Sequence, residues 1–152
     1  MSGRIVHSVL KTLDRLSPAK ERTAHLHTGE RGEEAAYFHL RKVGYVMVAR
    51  NYRSPRRRGE IDLIGWDKDE LCFIEVKTRS SKDFIPAEVA VDADKQHDLR
   101  EVAREYLRKV PDEAKTRFDI VSVYFEGMQT DFEIFKNAFP LSENWTSSAR
   151  HR

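Results

Sequence analysis

The chain has 152 residues, of which 39% are hydrophobic and 34% are charged, and its net charge is +2. This length and composition predict one globular domain with a solvated surface, because the chain is too short for two domains that each have a sizeable hydrophobic core. No apolar run approaches the roughly 20 residues of a membrane-spanning helix, so we expect no membrane partner. Cys72 is the only cysteine. A single cysteine excludes an internal disulfide, and no export signal is recognisable. We therefore expect a cytoplasmic protein.

The two ends of the chain differ in pattern from its middle. In residues 1–28, apolar residues recur at helical spacing, which predicts an extension with a short amphipathic helix. In residues 137–152, Pro140 precedes a polar stretch that predicts an irregular tail. A single domain is therefore predicted over residues 29–136.

The middle of the chain alternates between helical and strand patterns. Helices are predicted over 29–43 and 94–110, the second ending at Pro111. Strands are predicted at Tyr45–Asn51, Gly59–Asp67, Leu71–Thr78, Phe118–Phe125 and Phe132–Phe135, with a hairpin joining the second and third. This order predicts an α/β fold with a restriction-endonuclease-like αβββαβ core, in which helices flank a mixed central sheet.

Charged residues interrupt apolar faces on two of these strands. Because side chains alternate along a strand, Glu75 and Lys77 continue the row of Leu71 and Phe73 and stand about 7 Å apart. One strand earlier, Asp62 lies within a run that otherwise looks buried. Burying such charges without partners is costly. A surface ion pair or a turn cap would explain each residue singly, but not the set.

The two helices repeat this pattern. Glu33 shares a face with Ala36 and Leu40, and Lys95 lines up with Leu99 at helical spacing. The helix dipole alone would favour Glu33 near an N-terminus, and Lys95 could extend to solvent. Sequences place charged residues on buried faces mainly at functional sites. The inward-facing charges together therefore predict a functional site.

Carboxylates that converge with lysines suit metal-assisted cleavage of phosphodiesters. Oxygen ligands favour a hard cation, so Mg²⁺ or Mn²⁺ is the predicted cofactor. Lysines beside it can orient the attacking water or stabilise charge on phosphate. The predicted roles are metal ligation by Asp62, Glu75 and the Val76 carbonyl, accessory ligation by Glu33, water activation by Lys77 and phosphate contact by Lys95.

Arginines are concentrated just before Asp62. Five of them and no acid occur between Arg50 and Arg58, and such a run attracts the phosphates of a nucleic acid. A solvated loop is the alternative for a basic run considered by itself. The candidate nucleic-acid-binding residues are Arg53, Arg56, Arg57, Arg58, Arg79 and Lys95.

Four linked motifs now carry a family resemblance: G-E-R-G-E-E-A-A at 29–36, A-R-N-Y-R at 49–53, G-E-I-D-L-I at 59–64 and F-I-E-V-K-T-R at 73–79. Over about residues 28–136 the chain resembles the YraN-like family of the PD-(D/E)XK nuclease superfamily, which is similar in fold to archaeal Holliday junction resolvases. The resemblance implies a helix, three strands, a helix and a strand, with a divalent metal and a nucleic-acid substrate. One departure is Ile61, which replaces the superfamily's proline before the aspartate.

Three functions follow as hypotheses. The first is a metal-dependent endonuclease that acts on DNA, including branched or otherwise structured DNA. The second is a nucleic-acid-binding module on a nuclease fold without cleavage, and the third is an interaction protein that assembles through residues 1–28. The resemblance to junction resolvases further implies a homodimer, whereas the choice between DNA and RNA stays open.

Overall fold

The computed structural model describes residues 26–79 and 91–142. Helix α1 covers residues 26–42 of this part, and α2 covers Ala93–Leu107. The strands are β1 (Val46–Arg53), β2 (Glu60–Asp67), β3 (Glu70–Arg79), β4 (Lys115–Glu126) and β5 (Gln129–Phe139). The amphipathic helix predicted within residues 1–28 lies outside the described residues, as does the tail beyond 142. None of the described helices is long and apolar enough to cross a membrane.

The five strands form one mixed sheet in the order β1-β2-β3-β4-β5. The pairs β1–β2, β2–β3 and β4–β5 are antiparallel, whereas β3 and β4 are parallel. A parallel pair requires a crossover, and α2 lies in the segment that connects these two strands.

The two helices cover opposite faces of the sheet. From β3, Phe73 packs in a core cluster with Leu99 of α2, whereas Ile74 packs in a second cluster with Leu40 of α1. Neighbouring residues of a strand face opposite sides, so each cluster belongs to one face. The predicted α/β fold with an αβββαβ core is confirmed.

The last two strands are longer than predicted. The sequence predicts irregular structure from residue 137, but β5 continues to Phe139, which pairs with Phe118 across a break in register. Asn137 adopts a positive φ of 54°, and its N–H is bonded to Asp119 Oδ1 at 3.0 Å. The rings of Phe118 and Phe139 stack with centroids 4.5 Å apart. A local bulge therefore lets the strand continue up to Pro140.

The chain divides into two compact units, Met1–Arg31 and Gly32–Arg152. Within the first, the structure describes residues 26–31, where His27 Nδ1 lies 3.7 Å from Glu30 Oε2. All the residues of the predicted site belong to the second unit.

Candidate active site

Asp62 lies where the pairing of β2 with β3 stops. The ladder runs from Asp67–Glu70 to Leu63–Ile74. Beyond it, the Asp62 carboxylate takes the place of a backbone carbonyl, because its Oδ2 accepts the Val76 N–H at 2.8 Å. The side chain is thereby fixed between the two strands and is only partly exposed.

Glu75 occupies the same end of the sheet on β3. It is only 7% exposed, and its Oε1 lies 3.4 Å from Lys77 Nζ and 3.7 Å from Lys95 Nζ. Its other oxygen, Oε2, is buried and has no hydrogen-bond donor within the described part of the chain. Both lysines therefore serve one oxygen and leave the second unsatisfied. A surface ion pair does not describe this residue.

The electrostatics of Asp62 depend on its acidic neighbours. Burial, followed by the negative charges of Glu75 and Glu33, raises the pKa of Asp62 from 3.8 to about 8, against the opposing effect of the Val76 N–H. Removing a carboxylate from water and placing like charges beside it both disfavour ionisation. We call the group of Asp62, Glu75, Glu33, Lys77 and Lys95 the acidic site.

Glu33 reaches this site because α1 packs tightly on β3. The preceding residue, Gly32, is buried, and a Cβ atom there would lie 1.9 Å from Thr78 Oγ1 and 3.1 Å from Thr78 Cβ. Only glycine permits this approach, which brings the first turns of the helix to the end of β3. Gly32 of the first motif therefore has a packing role, next to the acidic Glu33.

The first turn of α2 places Lys95 in the acidic site. The Asp92 carboxylate caps this helix and accepts the Lys95 backbone N–H at 2.8 Å, which satisfies a donor that the helix itself cannot pair. Gln96 Nε2 also donates to the Val91 carbonyl at 2.9 Å. Because the first turn is fixed in this way, the Lys95 ammonium lies over Glu75.

The candidate arginines separate into two groups. Arg53 forms an ion pair with Glu60, and Arg57 lies 3.2 Å from Glu101 and 3.8 Å from Glu105 of α2. Arg56 and Arg58, by contrast, are exposed. The Nε of Arg79 is buried and lacks a hydrogen-bond partner among residues 26–79 and 91–142.

The loop that carries these arginines is fastened to α2. Buried Ser54 donates from Oγ to Glu105 Oε2 at 2.7 Å and accepts the Arg56 N–H at 3.2 Å. Gly59, at φ +96°, allows close approach to Asp98, whose Cβ would lie 3.3 Å from an added Cβ. The contacts of this loop with Glu105 and Asp98 join residues far apart in the chain, so no local sequence pattern signals them.

The donor set fits a hard divalent cation. No three His, Cys, Asp or Glu side chains in the described ranges already form a metal cluster. Mg²⁺, however, needs only one or two carboxylates and keeps several waters. Glu75 Oε2 is buried and has no donor in the part of the chain that the structure describes. Together with the raised pKa of Asp62, it indicates local negative charge that a cation would neutralise.

A second group of charges, centred on the buried Arg117 and Asp119, lies at the other end of β3. Arg117 Nη2 lies 2.7 Å from Asp67 Oδ2 and 3.1 Å from the Tyr45 hydroxyl, and its Nε lies 2.9 Å from Asp119 Oδ1. Lys136 Nζ adds a bond of 2.8 Å to Asp67. A cavity of about 570 Å³ opens beside it. We call these five residues the Arg117 network; its charges already have partners, which sets it apart from the acidic site.

Comparison with known proteins identifies the family. Residues 32–123 match the Uncharacterised protein family UPF0102. The chain belongs to this family, the YraN-like proteins. It is 52% identical over 133 residues to a UPF0102 protein of Koribacter versatilis, with 88% of this chain and 93% of that protein covered.

Two further UPF0102 relatives are similar over shorter spans. The protein of Solibacter usitatus is 52% identical over 99 residues, covering 64% of this chain and 75% of its own. The protein of Desulfosudis oleivorans is 40% identical over 112 residues, covering 73% and 88% respectively. The family's description names no activity, so function must be argued from the acidic site.

Proposed function

We propose that the protein is a Mg²⁺- or Mn²⁺-dependent endonuclease of the PD-(D/E)XK type, which hydrolyses phosphodiester bonds in DNA, including branched DNA, in the cytoplasm. One observation carries the proposal: Asp62 and Glu75 lie together on two neighbouring strands, and one buried carboxylate oxygen of Glu75 has no donor among the described residues. Because buried polar atoms of structural ion pairs usually have partners, this oxygen supports a cation-binding site.

In this proposal, Asp62, Glu75 and the Val76 carbonyl hold the cation, with Glu33 as an accessory ligand. When bound there, such a cation would supply Lewis-acid chemistry, making a water more acidic and neutralising charge that develops on the phosphate. The fixed carboxylate of Asp62 keeps these oxygens in place without reorganisation, because the Val76 N–H already orients it.

The lysines act on the substrate side. Lys77 and Lys95 both lie close to Glu75 Oε1 and keep part of their side chains exposed, 33% and 37% respectively. Lys77 Nζ can donate to the attacking water and orient it, while Lys95 Nζ can donate to a phosphate oxygen. Each stabilises negative charge where it develops in the transition state.

The exposed Arg56 and Arg58 bind the phosphates of the nucleic-acid backbone. Their guanidinium groups are exposed beside the acidic site's strand β2, and guanidinium binds phosphate with two parallel hydrogen bonds. Arg57 and Arg53, by contrast, already hold carboxylates, and their role is to shape the loop. Arg79 lies at the end of β3 as a further phosphate contact.

The test is cleavage of labelled DNAs (single-stranded, duplex, flap and four-way junction) with Mg²⁺ or Mn²⁺. We expect the wild type to cut at least one form and Asp62→Asn to cut none. Asp69→Asn is the matched control, because Asp69 is an exposed acid in the β2–β3 turn, 73% exposed, and its loss should leave cleavage intact. A panel that stays uncut under both metals would contradict the proposal.

A binding module without cleavage is the second candidate, and the exposed Arg56 and Arg58 favour it. It predicts DNA binding that falls with salt and does not change in Lys77→Ala. The same panel with RNA distinguishes the nucleic acid. We also propose a homodimer as the working form, because a four-way junction has two strands to cut; light scattering that gives a monomer mass with and without DNA would contradict it.

A further inference from the structure

Asn51 connects the acidic site to the base of the arginine loop. It lies on β1 with a positive φ of 48°. With its amide nitrogen turned toward the carboxylates, Asn51 donates to Glu33 Oε2 at 3.0 Å and to Glu60 Oε1 at 3.0 Å. Glu60 in turn pairs with Arg53. A chain of contacts therefore runs from Arg53 to the helix acid of the site.

The chemistry of asparagine suits both requirements of this position. Asparagine tolerates the left-handed region better than most residues, and its single amide nitrogen carries two N–H donors. One side chain can therefore serve two carboxylates from different elements. The amide is also neutral, so it orients Glu33 without cancelling the charge that would attract a cation. A lysine or arginine here would form an ion pair and compete with that cation.

We propose that Asn51 is a positioning residue that holds the Glu33 carboxylate toward the divalent cation. The inference rests on the proposed function, since it assigns Glu33 a part in cation binding. Hydrogen-bonding partners of metal ligands fix ligand orientation, and their loss weakens metal binding about 10–100-fold. Asn51 is itself exposed, so water can replace part of its contribution. The expected loss is near the lower end of that range.

The experiment measures Mn²⁺ binding to the full chain by electron paramagnetic resonance, without nucleic acid. Asn51→Gly removes the amide while keeping a residue that accepts positive φ. We expect it to weaken Mn²⁺ binding about 10-fold in the wild-type background and to have no further effect in Glu33→Gln. This double-mutant cycle isolates action through Glu33, because a general loosening of β1 would act in both backgrounds.

A second variant protects the test against misfolding. Glu60→Ala leaves Asn51 in place and removes the acceptor on the other side of its amide, so it should weaken Mn²⁺ binding in the same direction by a smaller factor. Circular dichroism reports on the fold of each variant. Equal losses in both Glu33 backgrounds would overturn the inference, and so would wild-type Mn²⁺ binding in Asn51→Gly.

Failure of the inference differs from failure of the proposed function. If the wild type binds Mn²⁺ and Asp62→Asn does not, but Asn51→Gly binds like the wild type, only the role of Asn51 is wrong. If the wild type itself binds no Mn²⁺, the proposed function is wrong, and the role of Asn51 is overturned with it.

Discussion

The acidic site and the Arg117 network both place charges inside the same sheet, at opposite ends of β3, yet they differ in balance. In the network, hydrogen bonds from Lys136 and then Arg117 lower the pKa of Asp67. In the acidic site, burial and neighbouring carboxylates raise the pKa of Asp62 to about 8. The charges of the network compensate one another, whereas the raised pKa of Asp62 indicates negative charge at the acidic site that its neighbours do not compensate. This contrast distinguishes compensated from uncompensated charge.

Removing the centre of the Arg117 network should have the largest effect on stability. Arg117→Met leaves Asp119, which is 1% exposed, without its guanidinium, and breaking a buried pair costs about 3–5 kcal/mol. Denaturant unfolding measures the loss. The double variant Arg117→Met/Asp119→Leu should lose less than the single one, since it removes both charges. A single-variant cost below about 1 kcal/mol would erase the contrast between the two regions.

Divalent cations should stabilise through the acidic site alone. A ligand that binds only the folded state adds about 2.7 kcal/mol when present at 100 times its dissociation constant. We expect this gain with Mn²⁺ in the wild type and in Asp69→Asn, and none in Asp62→Asn, as measured by thermal unfolding. An equal gain in all three proteins would place the cation elsewhere.

Without divalent cations, Asp62→Asn should be more stable than the wild type at neutral pH. The folded pKa of Asp62 is above the unfolded value of 3.8, so the folded state retains its proton while the unfolded state loses it. The penalty is therefore absent below about pH 4, grows as pH rises and is complete above about pH 8. We expect a gain of roughly 1–3 kcal/mol, because the new amide can donate to the buried Glu75 Oε2, and a buried acceptor without a donor costs about this much. A gain that shrinks from pH 5 to pH 8 would contradict this sign.

The arginine loop should give the smallest effect, and one confined to nucleic-acid binding. Each phosphate contact contributes about 0.9 to the slope of log affinity against log salt. Arg56→Gln and Arg58→Gln should each lower that slope by about this amount. Arg57→Gln should lower it less, because Arg57 is held by Glu101 and Glu105. Equal slopes for all three variants would show that the ion pairs to α2 open on binding.

The sequence was sufficient for the fold and for the centre of the site because both depend on local periodicity. Alternation along one strand places Glu75 and Lys77 on the same face as Phe73, and the hairpin that follows Asp62 joins neighbouring segments. Helical spacing similarly identified Lys95. These patterns need no knowledge of distant partners.

What the sequence could not provide depends on contacts between distant segments. Asn51 reads as an ordinary strand residue, because nothing in its neighbours signals a positive φ or a bond to Glu33. The arginine run contains no acidic residue, but Arg57 forms ion pairs with Glu101 and Glu105 of α2. The continuation of β5 beyond Lys136 likewise depends on the bond between the Asn137 N–H and Asp119.

The mixed topology of the sheet has a consequence for the order of folding. The strands β1, β2 and β3 are consecutive and antiparallel, whereas β4 joins β3 only after a long crossover, and non-local pairing of this kind forms slowly. We therefore expect Asp62 and Glu75 to come together early, before α2 places Lys95 beside them. Their repulsion should slow folding more than it speeds unfolding, so Asp62→Asn should refold faster in stopped-flow experiments without divalent cations, with a nearly unchanged unfolding rate. A change confined to the unfolding rate would mean that the two acids meet only after the transition state.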